Sequence, residues 1–259
     1  MATVTDTAVD QAALTEFLTR LGDNALVLGH RVSEWCGHGP VLEEDIALAN
    51  VALDLIGQTQ LWLGLAAQVE GKGRSADDLA FLRDGFDFRN LLLVERPNGD
   101  MAQTLMRQFL FDAWHLQLLN ALKGSTDRRI AEIAEKASKE VAYHLERSSD
   151  LVIRLGDGTD ESHRRMQAAL DGLWAYTGEM FIGDAGDAAL AAAGIAPKPE
   201  SLKAAWDEVV SETLAEATLK KPADGYMHKG GKRGVHSEHL GFILSDMQFL
   251  QRAYPGATW

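Results

Sequence analysis

Apolar residues recur at steps of three and four along four long stretches of the chain, and short segments rich in glycine and proline separate them. The pattern predicts a first helix from about Gln11 to Cys36, stopped by "GHGP", and a second from about Leu42 to Val69. Asp100 stands where an N-cap is needed for a third helix ending at Gly124, and Ser125 or Thr126 is placed to cap a fourth that reaches about Leu155. Each stretch exceeds twenty residues and so spans more than about 30 Å. The connector between the second and third is far longer than the other two, as in a bundle with one long crossover. The fold expected is all-α, a ferritin-like long four-helix bundle with additional C-terminal helices near 160 to 181, 201 to 219 and 236 to 253.

The six prolines all fall between these stretches, as helix interiors require. With 46% hydrophobic residues in 259, one sizeable core is expected. Residues 1–10 read as a flexible tail and 11–259 as a single domain, with the core bundle over about 11–155 and accessory helices over about 159–253. The run "GDAGDAALAAAGIAPKPES" reads as a flexible joint. The second helix, "IALANVALDLIGQTQLWLGLAA", is apolar almost all round, so it needs cover on several sides, part of it from another chain.

Charge narrows the functions. Lys and Arg number 25 against 38 Asp and Glu, a net charge of -13, which disfavours broad binding to nucleic acid or to an anionic membrane. Cys36 is the one cysteine; it excludes an intrachain disulfide and suits a reducing, cytoplasmic compartment. No run reads as a signal peptide or a membrane span.

Three stripes carry polar residues into the expected bundle core. On the fourth helix the apolar phase runs Ile130, Ala134, Ala137, Val141, His144, Ser148, Leu151, Leu155. On the third it runs Leu105, Phe109, Asp112, Leu116, Leu119, with His115 beside it, and on the second Ala47, Val51, Asp54, Gln58, Leu61. Carboxylates facing a histidine from several helices are the raw material of a di-iron site, which takes a Glu from each of two helices and a Glu-x-x-His pair from each of the other two. No glutamate in this chain has a histidine three residues later. The bridging position before His144 is Val141, and the position three after Asp54 is Gly57. The site lined by Asp54, Gly57, Asp112, His115, Val141 and His144 therefore reads as degenerate, with no catalytic and no metal-binding residue expected. The paired-looking Glu140 of "KEVAYHLE" stands one position off the stripe. Buried without iron, Asp54 and Asp112 need a proton or a partner, and His144, His115 or Arg31 are the candidates by phase.

These residues, with "RLGDNALVLGHRVSEWCG", "LANVALDLIGQ", "NLLLVERPNGD" and "HSEHLGFILSDMQFLQRAYPG", resemble the C-subunit family of bacterial phenylacetyl-CoA epoxidases, ring-epoxidising monooxygenases of phenylacetate degradation. The likeness runs from about Leu14 to Trp259. It implies a structural, non-catalytic subunit that binds no cofactor itself and stabilises a homologous catalytic subunit, where the di-iron centre and the thioester lie. Further subunits, a reductase among them, deliver electrons from NADPH. The resemblance implies assembly as a homodimer or hetero-oligomer, and leaves His30 and Glu34 both near the helix-one ligand position. The apolar faces of the first two helices are the expected contact surfaces.

The basic loop "KGGKRGVHSEHLG" places Lys229, Lys232 and Arg233 among glycines before a helix start, a setting that favours phosphate. With Lys220 and Lys221 it is a candidate contact for the coenzyme A moiety, set against a solvated loop. His236 and His239, three apart, lack a third zinc ligand nearby and read as capping and ion-pair residues. Two other functions compete: an autonomous ferritin-like di-iron oxidase using Asp54, Asp112, His115, Glu140 and His144, and a stand-alone helical scaffold.

Overall fold

In the computed structural model residues 10–257 are described, and among them nine α-helices and four short 3-10 turns form the fold. The long helices are α1 (Gln11–Ser33), α2 (Leu42–Glu70), α4 (Met101–Leu122) and α5 (Arg128–Gly156). They pair as two hairpins, α1 with α2 and α4 with α5, and α2 meets α5 across the bundle. This is the all-α, ferritin-like arrangement that the spacing of stripes and connectors predicts. Of the tail expected over residues 1–10, all but Asp10 lies outside the described residues; the Asp10 carboxylate caps α1, accepting the Ala12 and Ala13 N–H groups at 3.0 and 3.2 Å.

Local chemistry corrects several boundaries. Chain 34–38 leaves α1 in turns rather than extending it to Cys36. The cap of α5 is Asp127, which accepts from the Arg129 N–H at 3.0 Å; the Thr126 hydroxyl instead donates to the Ala193 carbonyl. The segment expected to be a flexible joint contains α7 (Ala185–Ala192), whose start is a reciprocal cap between Asp184 and Asp187. The accessory helices are α6 (Asp160–Trp174), α8 (Lys203–Glu216) and α9 (Glu238–Ala253). α6 and α8 pack on the α4–α5 hairpin, α7 lies on α1, and α9 rests on α1 and the crossover helix α3 (Ala76–Phe81).

α1 is enclosed by its own chain from Leu14 to Val32 save for a few positions, so it offers no apolar face to a partner, contrary to the expectation for it. Gly22 permits this closeness, since a Cβ there would overlap Leu63 of α2. By length and composition alone α2 is long and apolar enough to cross a membrane. Leu48, Val51, Leu55, Trp62 and Leu63 bury one side of it, while Leu42, Ile46 and Leu53 stay exposed on the other. The chain itself therefore covers α2 on fewer sides than its composition demands.

The crossover between α2 and α4 is unusual because it is buried. Residues 90–95, "NLLLVE", form no helix or strand ladder and have almost no exposed surface, so side chains must satisfy their peptide groups. The Leu91 N–H donates to Asn24 Oδ1 at 2.8 Å, the Leu92 N–H to Glu179 at 3.0 Å, and the Arg89 N–H to Asp23 at 2.8 Å. Arg31 donates to the Glu95 carbonyl and Arg107 to that of Arg96.

Candidate functional site

The core cluster is assembled by α2, α4 and α5, each supplying residues from the stripe that the sequence marks. α5 contributes Val141, His144 and Ser148, all buried; α4 contributes Gln108, Asp112 and His115, all buried. α2 contributes Gln58, buried, and Asp54, whose side chain is 37% exposed. His144 Nε2 and Asp54 Oδ2 are 2.9 Å apart, and Gln58 Nε2 donates to Glu140 at 3.0 Å. Both contacts tie α2 to α5.

Asp112 is handled differently from the expectation. It accepts from Gln108 Nε2 at 2.7 Å on its own helix and from the Ser148 hydroxyl at 2.9 Å across the bundle. Neither His115 nor Arg31 reaches it; Arg31 binds Glu34 and the crossover. Burial pushes the Asp112 carboxyl up to about 6, against the pull of His144, Gln108, Ser148 and Arg147. Burial, reinforced by His144, pushes His115 down to about 3, so it stands as a neutral ring stacked on Trp114.

These residues do not fit a pair of metal ions. Val141 fills the bridging position with a buried aliphatic side chain; Gly57, expected to line the site, instead lies on the open outer side of α2, where an added Cβ would meet nothing within 4 Å. Glu34, at the end of α1, is bound to Arg31 and Asn98; the one buried acid of α1, Asp23, is bound to Arg83. Among the described residues no three His, Cys, Asp or Glu side chains converge where an ion could sit. Four buried polar atoms in this region, Gln58 Oε1, Gln108 Oε1, His115 Nδ1 and His144 Nδ1, have no hydrogen-bond partner. The cluster keeps the polarity of a metal site without its convergence.

The basic loop is occupied by an anion of the chain itself. Glu179 accepts from the Gly230 and Lys232 N–H groups at 2.7 and 3.3 Å with one oxygen, and from Leu92 with the other. Lys232 is largely buried, donating to the Ile182 carbonyl at 2.7 Å and lying 3.4 Å from Asp187. Lys221 is engaged by Asp207, and the Lys220 amide by Gln167. Lys220, Lys221, Lys229 and Arg233 are all exposed, Lys232 alone of the set being drawn inward.

A second buried polar cluster joins this loop to the crossover: His236 takes the ion-pair role expected of it, but its partner Glu95 and the residues around the pair were not legible in the sequence. His236 Nδ1 lies 3.0 Å from Glu95 Oε2 and Nε2 lies 3.0 Å from the Phe88 carbonyl. Both partners are acceptors, so both ring nitrogens donate and the ring is an imidazolium. Burial opposes that charge, and the bonds to Glu95 and Phe88 outweigh it, raising the pKa. Glu95 also receives the Ser237 N–H at the start of α9 and the Asn90 side chain. The available signal was polarity on the buried side: Asp23 and Asn24 interrupt the largely apolar run from Leu21 to Gly29, and Arg31 follows it.

Comparison with known proteins agrees with this architecture. The model of a family described as phenylacetic acid catabolic protein matches residues 1–259. Over 246 residues, 95% of this chain and 99% of the other, the sequence is 50% identical to the C-subunit of 1,2-phenylacetyl-CoA epoxidase from Escherichia coli (strain K12). Of the stretches that carry the resemblance, the α1 run, the crossover and the start of α9 build the buried crossover cluster. On the fold, the core residues and these matches, the chain belongs to the phenylacetic acid catabolic protein family.

Proposed function

We propose that this chain is a structural, non-catalytic subunit of a phenylacetyl-CoA epoxidase, which pairs with and stabilises a homologous subunit that holds the di-iron centre. The observation that carries the reading is the core cluster, where buried Val141 stands three residues before His144 and Asp112 is bound by an amide and a hydroxyl. The likeness to a protein named as the C-subunit of such an epoxidase supports it. In this reading oxygen chemistry, and electrons from NADPH through a reductase, belong to other subunits. The exposed free thiol of Cys36 suits a cytoplasmic setting. The part of the basic loop left for a coenzyme A phosphate is Lys229 with Arg233.

The outer face of α2 is the docking surface in this reading. Ile46, Leu53, Gly57 and Gly64 share it, and a Cβ added at either glycine would meet nothing within 4 Å. Two flat positions flanked by exposed aliphatics let a second helix approach closely. Gly57→Leu fills that space. It is expected to leave the isolated chain as stable or firmer by about 1 kcal/mol, since it removes a helix-interior glycine, and to abolish co-purification with the catalytic subunit. Co-purification that survives would place the contact elsewhere. Near-stoichiometric iron in the chain purified alone, read by plasma emission, would overturn the non-catalytic reading itself.

A further inference from the structure

Between α1, α4, the crossover and the 3-10 turn Pro199–Leu202 lies a half-enclosed cavity of about 40 Å³. That is space for about three water molecules, or for a small organic molecule of about 90 Å³ at about 30 Å³ per water. Most of its wall is apolar, with Phe17, Leu21, Leu118 and Met180 in it. The polar part of the wall comes from Arg20, Asn24, Trp114, Asp187 and Lys232.

These residues bring more hydrogen donors than acceptors. Arg20 Nε and Trp114 Nε1 are buried and have no partner. Asn24 spends its oxygen on the Leu91 N–H, which leaves its amide hydrogens at the free end of the side chain. Orphaned donors are costly inside a protein, and the acids nearby are already engaged. Asp187 takes Arg20 Nη1 at 3.3 Å, Lys232 Nζ at 3.4 Å and the Asp184 N–H at 3.1 Å. Glu179, the buried acid of the neighbouring turn, is held by the Leu92, Gly230 and Lys232 N–H groups.

Charge points the same way. Arg20 and Lys232, with side chains 10% and 15% exposed, share one comparably buried acid, Asp187 at 7%. The other acids on Arg20, Glu16 and Asp184, are nearly half exposed, and water screens them. Burial, with the Arg20 charge, lowers the Lys232 pKa although Asp187 and Asp184 pull it up. An added anion would stabilise an ammonium that is short of counter-charge in this way.

An inorganic anion matches only half of this wall. Apolar side chains beside donors and cations call for a molecule with an anionic acceptor at one end and carbon at the other. We propose that the cavity is a binding site for a short-chain monocarboxylic acid, its carboxylate received by Arg20, Trp114 and Lys232 and its alkyl chain packed on Phe17, Leu21, Leu118 and Met180. An acid of about four carbons matches the volume. The site shares no residue with the core cluster or with the outer face of α2, so it does not rest on the subunit reading above.

Isothermal titration of the full chain with sodium butyrate is expected to show a single site with a dissociation constant of about 1 mM or tighter, within reach of a ligand of this size. Butyramide keeps the shape without the charge, and inorganic phosphate keeps the charge without the carbon chain; each is expected to bind about tenfold more weakly or worse. Trp114→Phe keeps a ring and removes one donor, and Lys232→Met keeps the stem and removes the charge. Each is expected to weaken butyrate about tenfold, with helicity and melting measured alongside. If either variant folds poorly, the three ligands compared on the wild-type chain decide alone. No saturable binding of butyrate at about ten times that concentration would mean that only water enters the cavity. Butyramide or phosphate bound as tightly as butyrate would mean that the charge or the apolar wall plays no part. Either result overturns the proposal, as does butyrate binding that both variants leave unchanged. None of these measurements involves iron or the catalytic subunit, so failure here and failure of the subunit reading are told apart.

Discussion

Asp23 and Asp112 are both carboxylates with no exposed surface, on neighbouring parts of the same fold, and they are treated in opposite ways. Asp23 faces a fixed positive charge: Arg83 donates to both of its oxygens, one at 3.0 Å, and the Arg89 N–H adds a third bond at 2.8 Å. Asp112 receives one amide hydrogen and one hydroxyl and touches no cation. The first cluster answers a need of the backbone, because the buried crossover has no ladder to satisfy its peptide groups. The second lies among four helices whose peptide groups are already paired, and several of its side-chain atoms go unsatisfied. Side-chain atoms go unpartnered in the crossover as well, at Asn90 Oδ1, Arg107 Nε and Ser237 Oγ; what sets the clusters apart is the cation that Asp23 has and Asp112 lacks.

That contrast is broken most severely by Asp23→Ala. It leaves the Arg83 guanidinium, 6% exposed, and the Arg89 N–H without their acceptor inside the crossover. Removing one partner of a buried ion pair costs about 3 to 5 kcal/mol, and a urea unfolding curve should shift by that amount. A loss under about 1 kcal/mol, the range of a surface pair, would mean that the crossover does not depend on this brace.

Asp112 sharpens the other side through pH. Its carboxyl holds a proton up to about 6 in the folded chain and releases it near 3.8 when unfolded. The folded state binds the extra proton between those values, so the stability due to it is complete below 3.8 and is lost as pH rises through 6. Asp112→Asn mimics the protonated form and keeps both hydrogen-bonding partners. Relative to wild type it should be about equal at pH 4 and more stable at pH 7 by on the order of 2 to 3 kcal/mol. Unfolding curves whose difference does not change with pH would show that Asp112 ionises normally in the fold.

The sequence makes one of these clusters legible and hides the other for a physical reason. Helical phase is a local property, so His144, Ser148, Asp112 and Gln58 could be placed inward from spacing alone, and all four are buried. What phase cannot supply is depth along the bundle and the partner chosen. Asp54 shares the inward stripe yet remains half in water, and Asp112 finds Ser148 rather than a histidine. The crossover braces join Asn24 to Leu91, Glu179 to Gly230 and His236 to Glu95, across 51 to 141 residues of sequence. No periodicity encodes such pairs; only polar residues on the buried side of α1 hint at them. α7 was hidden likewise, because its alanines and glycines read as a linker until Asp184 and Asp187 cap one another.

The smallest effect is expected at His144, and the reason separates this cluster most cleanly from the crossover. Were Asp54 buried, His144→Leu would strand a carboxylate and cost about 3 to 5 kcal/mol, as at Asp23. The 37% exposure of the Asp54 side chain lets water replace the lost ring nitrogen. Asp112 does not become a stranded anion either, because His144 is one of the groups holding its pKa down, and removing it favours the neutral acid. The unpartnered Nδ1 of the buried ring also disappears with the substitution. What remains is roughly one hydrogen bond, about 1 kcal/mol, partly offset by burying leucine where the ring stood. A urea midpoint that moves by no more than this, beside a large shift for Asp23→Ala, would establish that the fold does not depend on the His144–Asp54 contact; a loss as large as that at Asp23 would show Asp54 to be shielded from water, and the two clusters to be held alike.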